Sequence, residues 1–547
     1  MGGIGRLLLV AAAAALGLGG CAGAMPADRG KLLGVLEDRS AQDEARIEAD
    51  RRWAAMTAEG KEVRADETRL AALEEMVWLP GESEGMRSYA LDQIRAADAR
   101  RAGRVLRQNL PRMEDWGVLE HACGMVVELG DKSCVEALVV SLARPAKRFG
   151  RRERPEAVAM EKVMGMELEV VLGRVMMGGD ESQISDLKYL KSQNAESQDF
   201  KSQISDFKVQ NSEFNARSSE FRAQSSEVKV RSSTRSMSVV ARVAAMDVLG
   251  ELRGEGCVKG LLWAARAAGG RDEFVGLMTW WVGLFGTLPV GMQEVEWVRE
   301  LRKPGNAELV KLMAAGHERL KGEKDYVFAP RFVGLLGHHP LRETPSLIGW
   351  KADPTRAELV GEIRGKLAGL KHVKREASYA GAGDDVDESL EGNEGKLSRC
   401  DLLAIRELLG ALERTEFRRE VMRLGLEDRA DGTSEHGGLM GWKLEDGSWK
   451  LELRIYPPGM VGNDVAYMSS DELLRETVLG LAEFHFHFQE ARNERNAGPG
   501  MGDLKYVREM RCNGVVFTSV KGPNGGDGFD VDYYTPGGSV VDLGVWE

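Results

Sequence analysis

A chain of 547 residues is too long for one ordinary domain, and two or three are expected. A hydrophobic share of 43% beside 29% charged residues is globular, and a net charge of −12 argues against a broad nucleic-acid footprint. Six scattered cysteines, none in a CxxC pair, argue against a disulfide framework and a thiolate zinc ribbon.

At the N-terminus, Arg6 precedes an uninterrupted apolar or glycine run from Leu7 to Gly20. A bilayer span needs about 20 residues, so this shorter run fits the apolar region of an export signal. The run ends in Leu18-Gly19-Gly20-Cys21, which resembles the lipobox of bacterial lipoproteins. That resemblance implies a signal peptide over 1–20, lipidation of Cys21, and a body tethered in the cell envelope. Ala22 after the cysteine, rather than aspartate, implies the outer membrane, facing the periplasm. The alternative is ordinary cleavage after Ala22-Gly23-Ala24. No second apolar run has spanning length.

Residues 21–60 are charged and alanine-rich and read as a tether running into a helix. The text from 61 to 178 is helical: Leu70, Leu73 and Val77 recur at the spacing of one buried helix face. Residues 119–145 read as two helices around a Gly-Asp turn, and a similar pair recurs at 239–265. These pairs resemble HEAT-type repeats, which implies a stacked helical solenoid; a generic helical bundle remains the alternative. Helical text continues over 237–376, with Trp280 and Trp281 expected in its core. In "GLLGHHPL", His338 and His339 point to opposite sides of any backbone, and Pro340 ends the element. They read as loop histidines without a role.

Between the helical segments, 179–236 is a serine-rich insertion. "SQISDLK" returns as "SQISDFK", followed by "NSEFNAR", "SSEFRAQ" and "SSEVKVR" in tandem. Most of these heptads carry one apolar residue where a coiled-coil seam wants two, so a weak helix or disorder is expected, with an oligomerisation arm as the alternative. Residues 377–400 are acidic, Gly-rich and almost without apolar residues, and they read as a linker at a domain boundary.

From 401 to 547 the pattern becomes α+β. Helices are expected from Asp401 to Leu412 and from Thr415 to Leu426. Strands follow at "GGLMGWKL", "SWKLELRIY", "EFHFHF", "NGVVFTSV", "GFDVDYY" and "SVVDLGVW". Ser469 followed by Glu472 reads as a capping box opening one more helix.

The chemistry gathers around "EFHFHF". On a strand Phe484, Phe486 and Phe488 share one face and His485 and His487 the other. Side chains two apart lie about 7 Å apart at their bases, close enough for both imidazoles to meet one ion. Asp503 opens an expected helix sixteen residues after His487, and Glu435 stands at the start of a Gly-rich strand. Two imidazoles and one carboxylate leave an open position on a tetrahedral zinc.

Glutamate, Gly-rich strand, HxH strand and Asp-bearing helix, in that order, resemble the JAMM metalloproteases of MPN-type fold. The resemblance covers about 415–547. It implies zinc held by His485, His487 and Asp503, with Glu435 as general base. There are departures: Phe488 stands where the family has proline, the loop to the aspartate is longer, and Gly500 replaces the oxyanion-stabilising serine. His436, on the opposite face from Glu435, is given no metal role. The implied function is a membrane-anchored zinc hydrolase of peptide or isopeptide bonds, with a helical scaffold for a protein or peptide substrate or partner. The alternatives are an inert MPN-type scaffold module, or histidines that hold a metal only structurally.

Overall fold

The computed structural model describes residues 28–60, 63–79, 81–145, 150–178, 237–267, 272–321, 328–338, 354–373, 387–445, 448–459 and 467–547. The signal segment with Cys21, the insertion at 179–236, His339 and most of the acidic linker lie outside them. The chain forms two compact units that divide between Gly270 and Arg271. Among the described residues, no helix is long and apolar enough to cross a membrane.

The first unit is helical. Its elements are α1 (Arg29–Glu37), α2 (Asp43–Gly60), α3 (Val63–Trp78), α4 (Glu84–Ala97), α5 (Ala99–Asn109) and α6 (Trp116–Leu129). These are followed by α7 (Val135–Ala143), α8 (Pro155–Met164), α9 (Leu168–Met176), α10 (Val239–Arg253) and α11 (Glu255–Ala267). Some starts are set by side-chain caps: Ser83 accepts from the Met86 N–H, and Asp98 from those of Arg100 and Arg101. Leu70, Leu73 and Val77 are buried, as their spacing requires. Packing skips along the chain, α2 on α4, α3 on α5, α4 on α6, α5 on α7 and α6 on α8, which is a two-layered helical array.

One finding differs from the sequence reading. Residues 29–60 are not a free tether: Leu32, Ala49 and Trp53 bury one another, and Arg46 of α2 pairs with the buried Glu82. The array also continues across the insertion. Helix α10 packs on α7 and α9, and Arg242 Nε donates to the Met176 carbonyl at 2.8 Å.

The second unit opens with α12 (Glu273–Phe285), α13 (Gly291–Leu301), α14 (Ala307–Leu320), α15 (Val333–His338) and α16 (Arg356–Leu367). In α12, Trp281 is fully buried against Phe285 and Phe328, while Trp280 is only half-buried. Then come α17 (Leu390–Asn393), α18 (Arg399–Leu412) and α19 (Thr415–Ala430). The strands are β1 (Gly437–Glu445), β2 (Ser448–Tyr456), β3 (Ala482–His487), β4 (Gly514–Lys521), β5 (Asp527–Tyr534) and β6 (Val540–Trp546). Helix α20 (Asp471–Glu476) precedes β3, and α21 (Met501–Met510) joins β3 to β4.

All six expected strands form one sheet, in the order β2-β1-β3-β4-β5-β6. Only β3 and β4 are parallel, and α21 lies in the crossover that such a pair requires.

The acidic segment does not end a domain. Helix α16 packs on α18, Trp297 Nε1 donates to the Leu474 carbonyl at 2.8 Å, and Arg331 pairs with Asp401. Leu390, inside the expected linker, is buried. Composition reports only the segment itself; contacts made by the helices before it place 272–373 in the same unit as the sheet.

Strand alternation gives the sheet two unlike faces. Phe484 and Phe486 share one with Val515, Phe517 and Phe529, under α18 and α19. Each phenylalanine buried there contributes about 1.5–3 kcal/mol, and slipping β3 by one residue would forfeit it. Gly425 of α19 allows the closest approach: a Cβ there would stand 2.4 Å from the Phe488 ring. The other face carries Glu483, His485 and His487.

Candidate metal centre

The phenylalanine face holds β3 in register and so fixes where the imidazoles point. His485 and His487 are both buried, and their Nε2 atoms lie 3.2 Å apart. His487 Nδ1 donates to the Asn496 carbonyl at 2.9 Å. A proton on Nδ1 leaves the Nε2 lone pair directed at the shared point, the tautomer that an Nε2 ligand needs.

Two carboxylates close on the same point. Asp503 stands in the first turn of α21, where its Oδ2 accepts the Gly500 N–H at 2.7 Å. That oxygen is 3.5 Å from His485 Nε2 and 4.0 Å from His487 Nε2. Glu435, just before β1, brings Oε1 to 3.7 Å from His487 Nε2 and accepts from Gln489 Nε2 at 3.2 Å. The four residues expected from sequence are therefore brought together. His436 turns away to Asp431, 3.2 Å from its Nε2.

Distances alone leave either carboxylate as the third ligand; their electrostatics separate them. Burial pushes Glu435 up to about 7, and Asp503 and Asp428 add to that. Burial also pushes Asp503 up, but the His485 charge and hydrogen bond overcome it and hold its carboxyl well below the usual range. Burial would lower His485, yet Asp503 holds it up at about 9. His487 is pushed down to about 4 by burial and by its charged neighbour. Asp503 is thus held towards its ionised form, while burial holds Glu435 towards its protonated form.

The set fits zinc. Nitrogens about 2.0–2.1 Å from a tetrahedral ion sit about 3.3 Å from each other, close to the observed imidazole pair. Asp503 needs only a small inward movement to complete three ligands.

Sequence reasoning missed the groups behind this shell. Glu483 precedes His485 by two residues on the same face and is fully enclosed, accepting from Thr477, Ser469 and Tyr506. Strand alternation alone could have placed it there. Ser469 is spent on that contact, so Ser470, not Ser469, caps α20. Asn496 and Gln489 lie in the segment between β3 and α21 and carried no sequence signal.

No family model, no curated protein and no solved structure matches the chain. What fold and site define is a class: an α+β unit with a buried pair of imidazoles between two carboxylates.

Proposed function

We propose that this protein is a zinc hydrolase of the peptidase or isopeptidase type, with a JAMM-like site on an MPN-type domain. The observation that carries the reading is the convergence of His485 and His487 Nε2 at 3.2 Å with Asp503 beside them. His485, His487 and Asp503 would hold the ion, which would act as a Lewis acid and lower the pKa of a bound water. Glu435 takes a proton from the attacking water as its oxygen bonds to the carbonyl carbon. The same carboxyl returns that proton to the leaving nitrogen as the C–N bond breaks.

The helical array serves as a HEAT-like scaffold for a protein or peptide, and Cys21 anchors the body to the outer membrane. Next-but-one packing of α2 to α8 supports the scaffold reading. Gly500 favours a second reading, an inert MPN-type scaffold. It offers no hydroxyl to a developing oxyanion, and its N–H is already given to Asp503; loss of such a donor costs about a hundredfold or more.

Metal analysis of the zinc-loaded chain, with peptide and isopeptide substrates, tests the choice. Glu435→Gln should keep close to one zinc per chain and lose about a hundredfold or more of any hydrolysis. A wild-type chain that takes up no zinc when metal is plentiful would end the enzyme reading.

A further inference from the structure

The histidine-bearing face of the sheet carries a second cluster, at its β5–β6 edge. Asp530 and Asp532 alternate onto that face, and Asp542 of β6 lies directly opposite Asp532. Between these pairs β6 runs one residue longer than β5, a bulge with Gly544 at φ +83°. A Cβ there would stand 2.9 Å from Leu370 Cβ, so the bulge needs glycine. The three aspartates are buried, and each offers an oxygen within 4.8 Å of the others.

Their partners are unequal. Asp542 accepts from the Gly544 N–H at 2.6 Å and sits 3.0 Å from His372 Nδ1. Asp530 is 0% exposed, and neither of its oxygens meets a donor at full hydrogen-bonding geometry among the described residues; the Val531 N–H and the Asp532 carboxyl offset its burial only in part. Its cross-strand neighbour Thr518, equally enclosed, also has an Oγ1 without a partner. Burying a carboxylate without a full set of partners costs several kcal/mol, and two more acids beside Asp530 add to that cost. Asp530 is accordingly pushed well above the carboxylate range by burial, Asp542 and Glu388. Either a proton is shared among the acids or a cation sits between them.

We propose that Asp530, Asp532 and Asp542 form a site for an oxygen-preferring divalent cation, Ca²⁺, Mg²⁺ or Mn²⁺, separate from the imidazole centre. Oxygens about 2.0–2.6 Å from one such ion lie within about 5 Å of each other, as these do. Thr518 Oγ1 stands as a further neutral oxygen beside Asp530. Asp542 also lines a cavity of about 680 Å³ with His372 and Glu388, which gives water and an ion a route to that carboxylate. The register aligns His487, Thr518 and Asp530 in one row across three strands. Two strand spacings set the backbones about 10 Å apart, so the two centres are neighbours rather than one bridged pair. An all-oxygen site favours hard cations, whereas an imidazole centre favours borderline transition ions such as zinc.

The test uses the full chain with His485→Ala and His487→Ala, which removes the imidazole centre. After chelation it is titrated with Mn²⁺ alone, followed by electron paramagnetic resonance, and with Ca²⁺ or Mg²⁺ by calorimetry. One equivalent should bind, and Asp530→Asn or Asp542→Asn should each weaken it at least tenfold. The wild-type chain, which needs no substitution to fold, should show the same equivalent with zinc already loaded. Absence of binding in the wild type overturns the proposal and leaves a shared proton as the answer. Binding that survives Asp530→Asn at full strength overturns it equally.

Discussion

The two units differ in how far their buried charges are paired. In the helical unit, buried charges come in pairs of opposite sign that satisfy one another. Arg46 reaches both Glu82 oxygens and the Leu36 carbonyl, and Arg69 reaches both Asp50 oxygens and Gln93. In the sheet unit such pairs recur, as Arg331 with Asp401, but other carboxylates face imidazoles or each other: Glu435 and Asp503 around the histidines, Asp530 among acids. A saturated pair has nothing left to offer a ligand. An unsaturated cluster remains costly until a proton or a metal completes it, and that is the condition of a binding site.

The contrast can be broken from either side. The largest effect is expected at the imidazole centre, where Asp503→Ala or His487→Ala leaves two ligands. Zinc affinity should fall by more than the about 10–100-fold that outer partners carry, read by competition with a chelating dye. Near-normal affinity would mean that Glu435 ligates in place of Asp503.

Next is the saturated pair. Arg46→Met should destabilise the helical unit by about 3–5 kcal/mol, because Glu82 is left charged and buried. Adding Glu82→Leu should recover most of that in a thermal melt. If the double variant is no better than the single, the pair is not the closed unit described.

Acid should then separate the units. Burial raises Glu82, but Arg46 more than offsets it and holds the carboxyl below 4.5, so this stabilisation is present above the unfolded pKa and lost as pH falls below it. Glu294 and Glu483 are raised by burial, and Glu435 to about 7. Their stabilisation is present at low pH and lost as pH rises from about 4.5 towards 7. His487, held near 4, works the other way below its unfolded pKa of about 6.5 and takes back part of the gain. Calorimetry of the metal-free protein should show the sheet unit gaining stability from pH 7 to 5 while the helical unit does not. Parallel shifts of both transitions would erase the distinction.

The smallest effect concerns the insertion. Deleting 180–236 should change the helical unit's stability by less than about 1 kcal/mol, since Arg242 and Met176 already close the array across it. A large loss of folding or of self-association would show that the heptads pack as an arm.

Much of this was legible in local pattern. Alternation in "EFHFHF" placed phenylalanines and histidines on opposite faces, and the six strands follow their β-branched and aromatic runs, because side-chain period is a property of neighbouring residues. The candidate ligands were readable as residue types in order. Other features needed the folded chain. Ser469 matched a capping pattern but is taken by Glu483, which comes near only when β3 pairs. The acidic segment looked like a boundary, yet helices on both of its sides pack into one unit. "GFDVDYY" reads as an ordinary strand, and nothing local warns that a bulge in β6 will set Asp542 opposite its aspartates. Periodicity and caps act over a few residues and were decided by the sequence. Which polar groups are buried together, and whether anything satisfies them, depends on contacts between residues far apart in the chain, and only the tertiary structure decided that.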